Sequence, residues 1–338
     1  MELRFSFVVP VYNRPEELDE LLESIRRQEF GKPFEVVIVE DGSSRDAGEV
    51  VHKYAPHLDI RYFKKPNTGP GDSRNYGMQR ASGDYFLLVD SDCILPDDYL
   101  ATLQATLEQN PADCFGGRDA ADPSFNALQK AISYTMTAPL TTGGLRGGSG
   151  KQANFQPRSF NMGLSRRAFE ASGGFGNIHP GEDPDLSLRL SRNGFKILFI
   201  PEAIVYHKRR IDFRSFFRQV YKFGLARPIL NRWHPGSARP TYWFPTLFSL
   251  GLLSALALPF FLPTPLGILP LAGYLLYFLG VWFGAWATTR NFRASLLAVP
   301  ALLVQFAGYG WGFFKSTILL TFSKQKPESL FPGLFFNN

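Results

Sequence analysis

Two aspartates one residue apart, Asp90 and Asp92, stand where the apolar run Tyr85–Val89 ends. Carboxylates at the rim of a hydrophobic core cost free energy unless positive charge meets them. Either basic side chains or a bound cation must cover this pair. Hard divalent cations take carboxylate and phosphate oxygens, and Mg2+ seldom sits in an all-protein cage. Two carboxylates at a sheet edge and a ligand diphosphate would complete such a site. D-x-D alone recurs by chance; its position at the end of an apolar strand gives it weight. His207, after the apolar run Ala203–Tyr206, is either a third metal ligand or a hydrogen-bonded rim residue.

A second acidic cluster, Glu182, Asp183 and Asp185 in "GEDPDLSLRL", crowds the start of an expected helix. Acids cap helices, but three exceed what a cap needs. A carboxylate beside a metal-bound diphosphate can serve as general base toward a hydroxyl. Arg74, in "GPGDSRNYG", either braces phosphate oxygens or pairs with Asp72 at the surface. The stretch "TTGGLRGGSGK" at 141–151 has the composition of a flexible flap. It is no phosphate-binding loop, because Leu145 stands where the first glycine is needed and Gln152 replaces the Ser or Thr.

The elements that must position these residues can be read from hydrophobic period. Arg4–Val9, Glu35–Val39, Asp59–Phe63 and Tyr85–Val89 are short apolar runs suited to strands. Between the first two, Leu18, Leu21, Leu22 and Ile25 repeat with helical spacing, after Pro15 and the acids Glu16 and Glu17 and before the basic Arg26 and Arg27. Strand, helix, strand predicts a parallel sheet with a right-handed crossover. Ligands of such sheets gather beyond the carboxyl ends of the strands. That edge carries Pro10, Tyr12 and Asn13, then Glu40 and Asp41, then Asp90 and Asp92.

The net charge of +6 is local: Tyr206–Pro240 carries +8 and the rest of the chain −2. Within that basic stretch, Phe213, Phe216, Phe217, Val220 and Tyr221 share one helical face, with Arg214, Arg218 and Lys222 on another. This predicts an in-plane helix on anionic lipid rather than a nucleic-acid contact. Three apolar stretches follow, Trp243–Leu262, Leu266–Ala287 and Ser295–Phe314, each about the ~20 residues a spanning helix needs. Arg290 and Arg293 mark the second linker, against the uncharged "PTP" at 263–265, and place that linker and the N-terminal region on the inner side. Lys315, Lys324 and Lys326 weigh mildly against a full third crossing, which leaves a re-entrant or interfacial third stretch as the alternative. No signal peptide is expected, since Phe5–Val11 is too short. The two cysteines, Cys93 and Cys114, offer no metal spacing. Cys93 is expected to pack, in a reducing compartment.

The motifs "VVPVYNRPEEL", "VIVEDGSSRD", "NTGPGDSRNYGMQRASGDYFLLVDSD", "FNMGLSRRAFEASGGF" and "GEDPDLSLRL" stand in the order of family 2 glycosyltransferases, and residues 4 to 225 resemble that family. The resemblance implies an α/β GT-A fold, a Rossmann-like nucleotide-binding domain with a mostly parallel central sheet, followed here by the interfacial helix and about three transmembrane helices. It also implies a nucleotide-diphosphate sugar donor (a UDP- or GDP-sugar), Mg2+ or Mn2+, and inversion at the anomeric carbon. Pro10, Tyr12 and Asp41 would line base and ribose, with Arg74 near the nucleotide. Asp90 would lie by ribose or metal, Asp92 would ligate the metal, and His207 would complete the metal site. Asp183 would be the base, with Glu182 as its catalytic neighbour. Glu40 stands where the family often has aspartate. The Q-x-x-R-W motif of processive synthases is missing before Arg232-Trp233, which favours single-sugar transfer.

The expected organisation is a catalytic domain over 1–207, a basic juxtamembrane segment over 208–240, transmembrane helices over 241–322 and a tail over 323–338. The expected protein is a multi-pass membrane enzyme with its catalytic domain in the cytosol, transferring to a lipid-linked or glycolipid acceptor for cell-surface glycan or glycolipid assembly. The alternatives are a processive polysaccharide synthase and a non-catalytic nucleotide-binding membrane protein. A sugar-1-phosphate nucleotidyltransferase fits poorly, because "PVYNRPEE" replaces the Gly-rich basic loop.

Overall fold

A computed structural model of the chain describes residues 3–120, 125–142, 155–208, 212–262 and 266–336. The expected flap beyond Thr142 and the "PTP" linker lie outside the described residues. The chain divides into two units: one takes in Met1–Asp122, Gly148–Lys208 and Phe335–Asn338, the other Pro123–Gly147 and Arg209–Leu334.

The first unit is an eight-stranded sheet: β1 (Phe5–Val11), β2 (Glu35–Asp41), β3 (Asp59–Lys65), β4 (Tyr85–Leu88), β5 (Cys93–Ile94), β6 (Cys114–Ala120), β7 (Met162–Ser165) and β8 (Ile197–His207), in the order β3-β2-β1-β4-β7-β6-β8-β5. The run β3-β2-β1-β4 is parallel, as is β6 with β8. β7 is antiparallel to both its neighbours, and β5 is antiparallel to β8. The helices of this unit are α1 (Pro15–Arg26), α2 (Gly48–Tyr54), α3 (Pro70–Arg80) and α4 (Tyr99–Gln109), with two more after the second unit's first insertion.

Alternation along β1 explains why both faces are covered. Phe5, Phe7, Val9 and Val11 enter one core with Leu18, Leu21, Leu22 and Ile25 of α1 and Leu100 and Leu103 of α4. Val8 enters the opposite core with Met78 of α3 and Leu186 and Leu190. Strand side chains alternate with period two, and a sheet buried on both faces therefore reads as a continuous apolar run.

The second unit is helical. It begins with α5 (Ala127–Thr137) and α6 (Pro139–Thr142). Asn126 and Gln129 form a reciprocal capping box at the start of α5. In the first unit, α7 (Arg166–Ser172) and α8 (Glu182–Arg192) come next in the chain. The second unit resumes with α9 (Phe213–Trp233), α10 (Phe244–Ala257), α11 (Leu269–Thr289), α12 (Phe292–Phe322) and the short α13 (Pro327–Leu330). Three of its helical stretches, Pro240–Phe260, Leu269–Thr289 and Phe292–Phe322, are long and apolar enough to cross a membrane.

Two features differ from the sequence reading. The third apolar stretch is one continuous 31-residue helix, about 46 Å at 1.5 Å per residue, and does not double back as a re-entrant segment would. Pro300 lies inside it without ending it. The apolar face of α9 is in part spent within the protein: Phe216 and Val220 are buried with Ile132, Met136 and Ala301, while Phe217 stays exposed. Gly308 and Gly312 of α12 allow this close approach, since a Cβ on Gly312 would come within 2.3 Å of the Tyr221 carbonyl oxygen.

Candidate active site

Register places the first group. β5 pairs with the end of β8 so that Cys93 faces His207. Asp92, just before β5, therefore stands beside that imidazole, with Oδ1 3.2 Å from His207 Nε2. The Lys208 amide donates to the Asp92 carbonyl at 3.1 Å. The Phe160 ring stacks on His207 at 4.3 Å and 10°, fixing its plane. Arg14, in the turn after β1, donates to Asp92 Oδ2. Burial opposes the charge on Asp92, but His207 and Arg14 outweigh it and hold the carboxylate well below its ordinary range.

Asp92 and His207 thus present one oxygen and one nitrogen to a common point. A carboxylate oxygen suits Mg2+ and Mn2+, and the donor set fits such an ion. Cys93 lies in the same cluster. Burial, followed by the charges of Asp92 and Asp90, pushes its thiol far up, so it stays protonated. Its Sγ donates to the Phe160 carbonyl at 3.7 Å, and it packs as the sequence reading expected.

The second group is organised by Arg74 on α3. The sequence left two roles open for it, toward phosphate or toward Asp72, and the pairing with Asp72 does not form. Its guanidinium is buried, donates to Asp90 Oδ1 at 2.5 Å and lies 3.6 Å from Glu182 Oε1. Asp72 instead meets Lys65 and Thr68. Arg74 therefore ties the D-x-D corner to the N-terminus of α8.

At that N-terminus the three acids separate by role. Asp185 pairs with Arg189 one turn on, at 3.0 Å. Glu182 Oε1 is 2.8 Å from His179 Nδ1. Burial would raise Glu182, but His179 and Arg74 reverse this and its pKa is lowered. Burial would likewise lower His179, and Glu182 reverses it so that the imidazole is held protonated more strongly than usual. Asp183 goes the other way: burial, then the neighbouring Glu182 charge, pushes it up to about 6. Its Oδ1 is buried with no hydrogen-bond partner among the described residues. Two adjacent carboxylates with pKa values pushed apart are a pattern of acid–base sites. His179 and Arg14 were not singled out from sequence. The only local signal for His179 was its spacing of three from Glu182.

The residues expected to line the nucleotide lie along the carboxyl edge of β1 and β2. Tyr12 is exposed there and Pro10 half-buried. Asn13 Oδ1 accepts from the Ser44 and Arg45 amides, at 2.8 and 3.0 Å, and locks the turn after β1 to the turn after β2. Glu40 accepts from the Ala47 amide and the Tyr62 hydroxyl, at 2.9 and 2.8 Å, and is structural. Asp41 is buried. It accepts from Lys65 Nζ at 2.7 Å and from the Thr68 and Gly69 amides at 3.0 Å, and so braces the loop entering α3.

Residues 6–173 match the model of the family described as Glycosyl transferase family 2. The chain carries a family 2 glycosyltransferase domain. It is 34% identical over 152 residues to the poly(ribitol-phosphate) beta-N-acetylglucosaminyltransferase TarS of Staphylococcus aureus, covering 40% of this chain and 26% of that protein. Over 116 residues it is 34% identical to the GalNAc(5)-diNAcBac-PP-undecaprenol beta-1,3-glucosyltransferase of Campylobacter jejuni, covering 33% of this chain and 37% of that one. The match thus spans about a quarter to about a third of the length of these curated relatives. In fold, the chain resembles a mannosyltransferase from Pyrobaculum calidifontis in complex with GDP-Man and Mn2+, with a TM-score of 0.56, 19% identity and coverage of 96% of this chain and 89% of that one. TarS 1-349 in complex with UDP-GlcNAc follows with a TM-score of 0.51, 17% identity and coverage of 94% and 92%. The family 2 domain and its GT-A fold agree with the motif order in the sequence.

Proposed function

We propose that this chain is a membrane-anchored, metal-dependent inverting glycosyltransferase. It moves a sugar from a UDP- or GDP-sugar to a hydroxyl of a lipid-linked or glycolipid acceptor at the cytosolic face, in the assembly of a cell-surface glycan or glycolipid. The observation that carries this reading is the pairing of Asp92 with His207, two residues after Asp90, which Arg74 ties to Glu182, the neighbour of Asp183.

In this reading Asp92 and His207, with Asp90 of the same D-x-D corner, would hold Mg2+ or Mn2+. When bound, the ion supplies positive charge against the departing diphosphate. Pro10 and Tyr12 flank the nucleoside, and Asp41 shapes that side through the loop it braces. Asp183 accepts the acceptor hydroxyl's proton. As it does so, the acceptor oxygen bonds to the anomeric carbon and the bond from that carbon to the diphosphate oxygen breaks, with inversion. A base with pKa near 6 remains ionised at neutral pH and is more basic than an ordinary aspartate. Glu182, paired with His179 and Arg74, stays ionised and keeps Asp183 basic. The apolar helices would confine the enzyme to the surface that carries its acceptor, raising the effective concentration.

The test uses the full chain with UDP- and GDP-sugars, Mn2+ and total lipid extract. Wild type releases nucleoside diphosphate and labels a lipid, and Asp92→Asn and Asp183→Asn do neither. Equal inactivity of all three across a broad donor and acceptor panel would return the protein to the non-catalytic alternative, and a long polymeric product to the processive one.

A further inference from the structure

One contact near Glu182 comes from the far end of the chain. Phe335 bridges to Ile178, and the Phe336 amide donates to the Asn177 carbonyl at 3.2 Å. The Phe336 ring then lies against two segments at once. Its centroid is 6.1 Å from that of His179. It also fills the space over Gly69, where a Cβ would come within 2.4 Å of the ring. Gly69 has a φ of 95°, caps α3 and donates its amide to Asp41. These two segments carry the two cationic partners of Glu182: His179 directly, and Arg74 on the second turn of α3.

We propose that Phe336 is a positioning residue for the Glu182–Asp183 pair, wedged between the N-cap of α3 and the 177–179 segment so that Arg74 and His179 converge on Glu182. The proposal rests on the glycosyltransferase reading. Phe336 is half-buried and also walls an open pocket with Thr68, Asp72, Asn75, Asn177 and His179. The His179 side chain is 42% exposed and meets Glu182 through Nδ1. The charged groups that act on it are Glu182, Arg74 and Asp183, and Asp72 lines the same pocket. If the wedge is lost, His179 is free to swing away from Glu182. Glu182 then keeps Arg74 alone, and the base beside it loses its fixed position.

Two measurements on the full-length protein test this, with Phe336→Ala and Phe336→Leu. The first is hydrogen–deuterium exchange of 69–75 and 177–182, and the second is nucleoside diphosphate release against pH. Phe336→Ala is expected to speed exchange in both segments and to lower kcat about tenfold, a displacement well under 1 Å sufficing. Donor KM should stay within about twofold while the acidic limb of the profile moves, because the base and not donor binding is disturbed. Phe336→Leu, which keeps apolar bulk, should recover most of both. Unchanged exchange in either segment overturns the proposal. An unchanged or raised kcat overturns it too, a rise marking the ring as an obstruction. If wild type releases no nucleoside diphosphate, the transferase reading falls, and exchange alone still decides whether Phe336 holds the two segments.

Discussion

His207 Nε2 stands 3.2 Å from Asp92 Oδ1 because β5 and the end of β8 pair in a register that sets Cys93 opposite His207. Substituting either side chain removes a donor from the common point. Asp92→Asn and His207→Ala are each expected to weaken Mn2+ binding at least about tenfold, since even outer-shell changes cost that much. Isothermal titration with Mn2+ and a nucleoside diphosphate checks this.

With Asp183 as the proposed base, its titration should govern the pH dependence. Its folded pKa lies above the ordinary carboxylate value, near 6. The base works ionised, so kcat should fall about tenfold per pH unit below about 6 and level off above it. Asp183→Asn should lower kcat by about 10²–10⁴-fold.

The same shift has a stability consequence of opposite sign. A carboxyl whose pKa is raised on folding favours the folded state when protonated. Its contribution is present below the unfolded pKa and is lost as pH rises toward 6. Asp183→Asn should therefore raise Tm relative to wild type at pH 7.5, with the difference shrinking toward pH 4. Paired thermal melts at the two pH values measure it.

Arg74 was legible in the sequence as a basic residue in a motif, but not as a buried one. The segment "PGDSRNYGMQR" carries little apolar periodicity, so which side of α3 faces inward was decided by the long-range contacts of Asp90 and Glu182. The first strands and α1 were legible because their signals are local: apolar runs, Pro15, acids at one helix end and arginines at the other. Asp41 shows the opposite limit. Its type and place were visible, but its partners Lys65, Thr68 and Gly69 arrive from the end of β3 and the loop after it, and they turn it inward. His179 had no pattern to announce it until α8 placed Glu182 beside it. The helix α5 and its capping box at Asn126 went unread in the sequence, and nothing local indicated that Ala131 and Tyr134 pack with Phe248, Val281 and Leu302 among the apolar helices.

Because Arg74 balances two acids in a buried place, Arg74→Gln is expected to cost about 3–5 kcal/mol of stability. Arg74→Lys should recover only part of it, since one ammonium cannot reproduce the guanidinium fork. Denaturant melts of the full chain in detergent compare the three proteins.

The apolar helices make a separate prediction. Leu276 is strongly exposed near the middle of α11. Leu276→Arg should oppose insertion by about 2.5–3.5 kcal/mol. The fraction of chain that resists alkaline extraction from membranes should drop, while wild type stays in the pellet.

The central claim is that Asp92 and His207 hold the ion that holds the donor's diphosphate. Anomalous diffraction from crystals grown with Mn2+ and a nucleoside diphosphate tests it most directly. A manganese peak in contact with both Asp92 and His207, with diphosphate oxygens completing its shell, is the result expected. A peak elsewhere, or bound diphosphate with Arg14 still closed on Asp92 and no manganese beside it, would contradict the account.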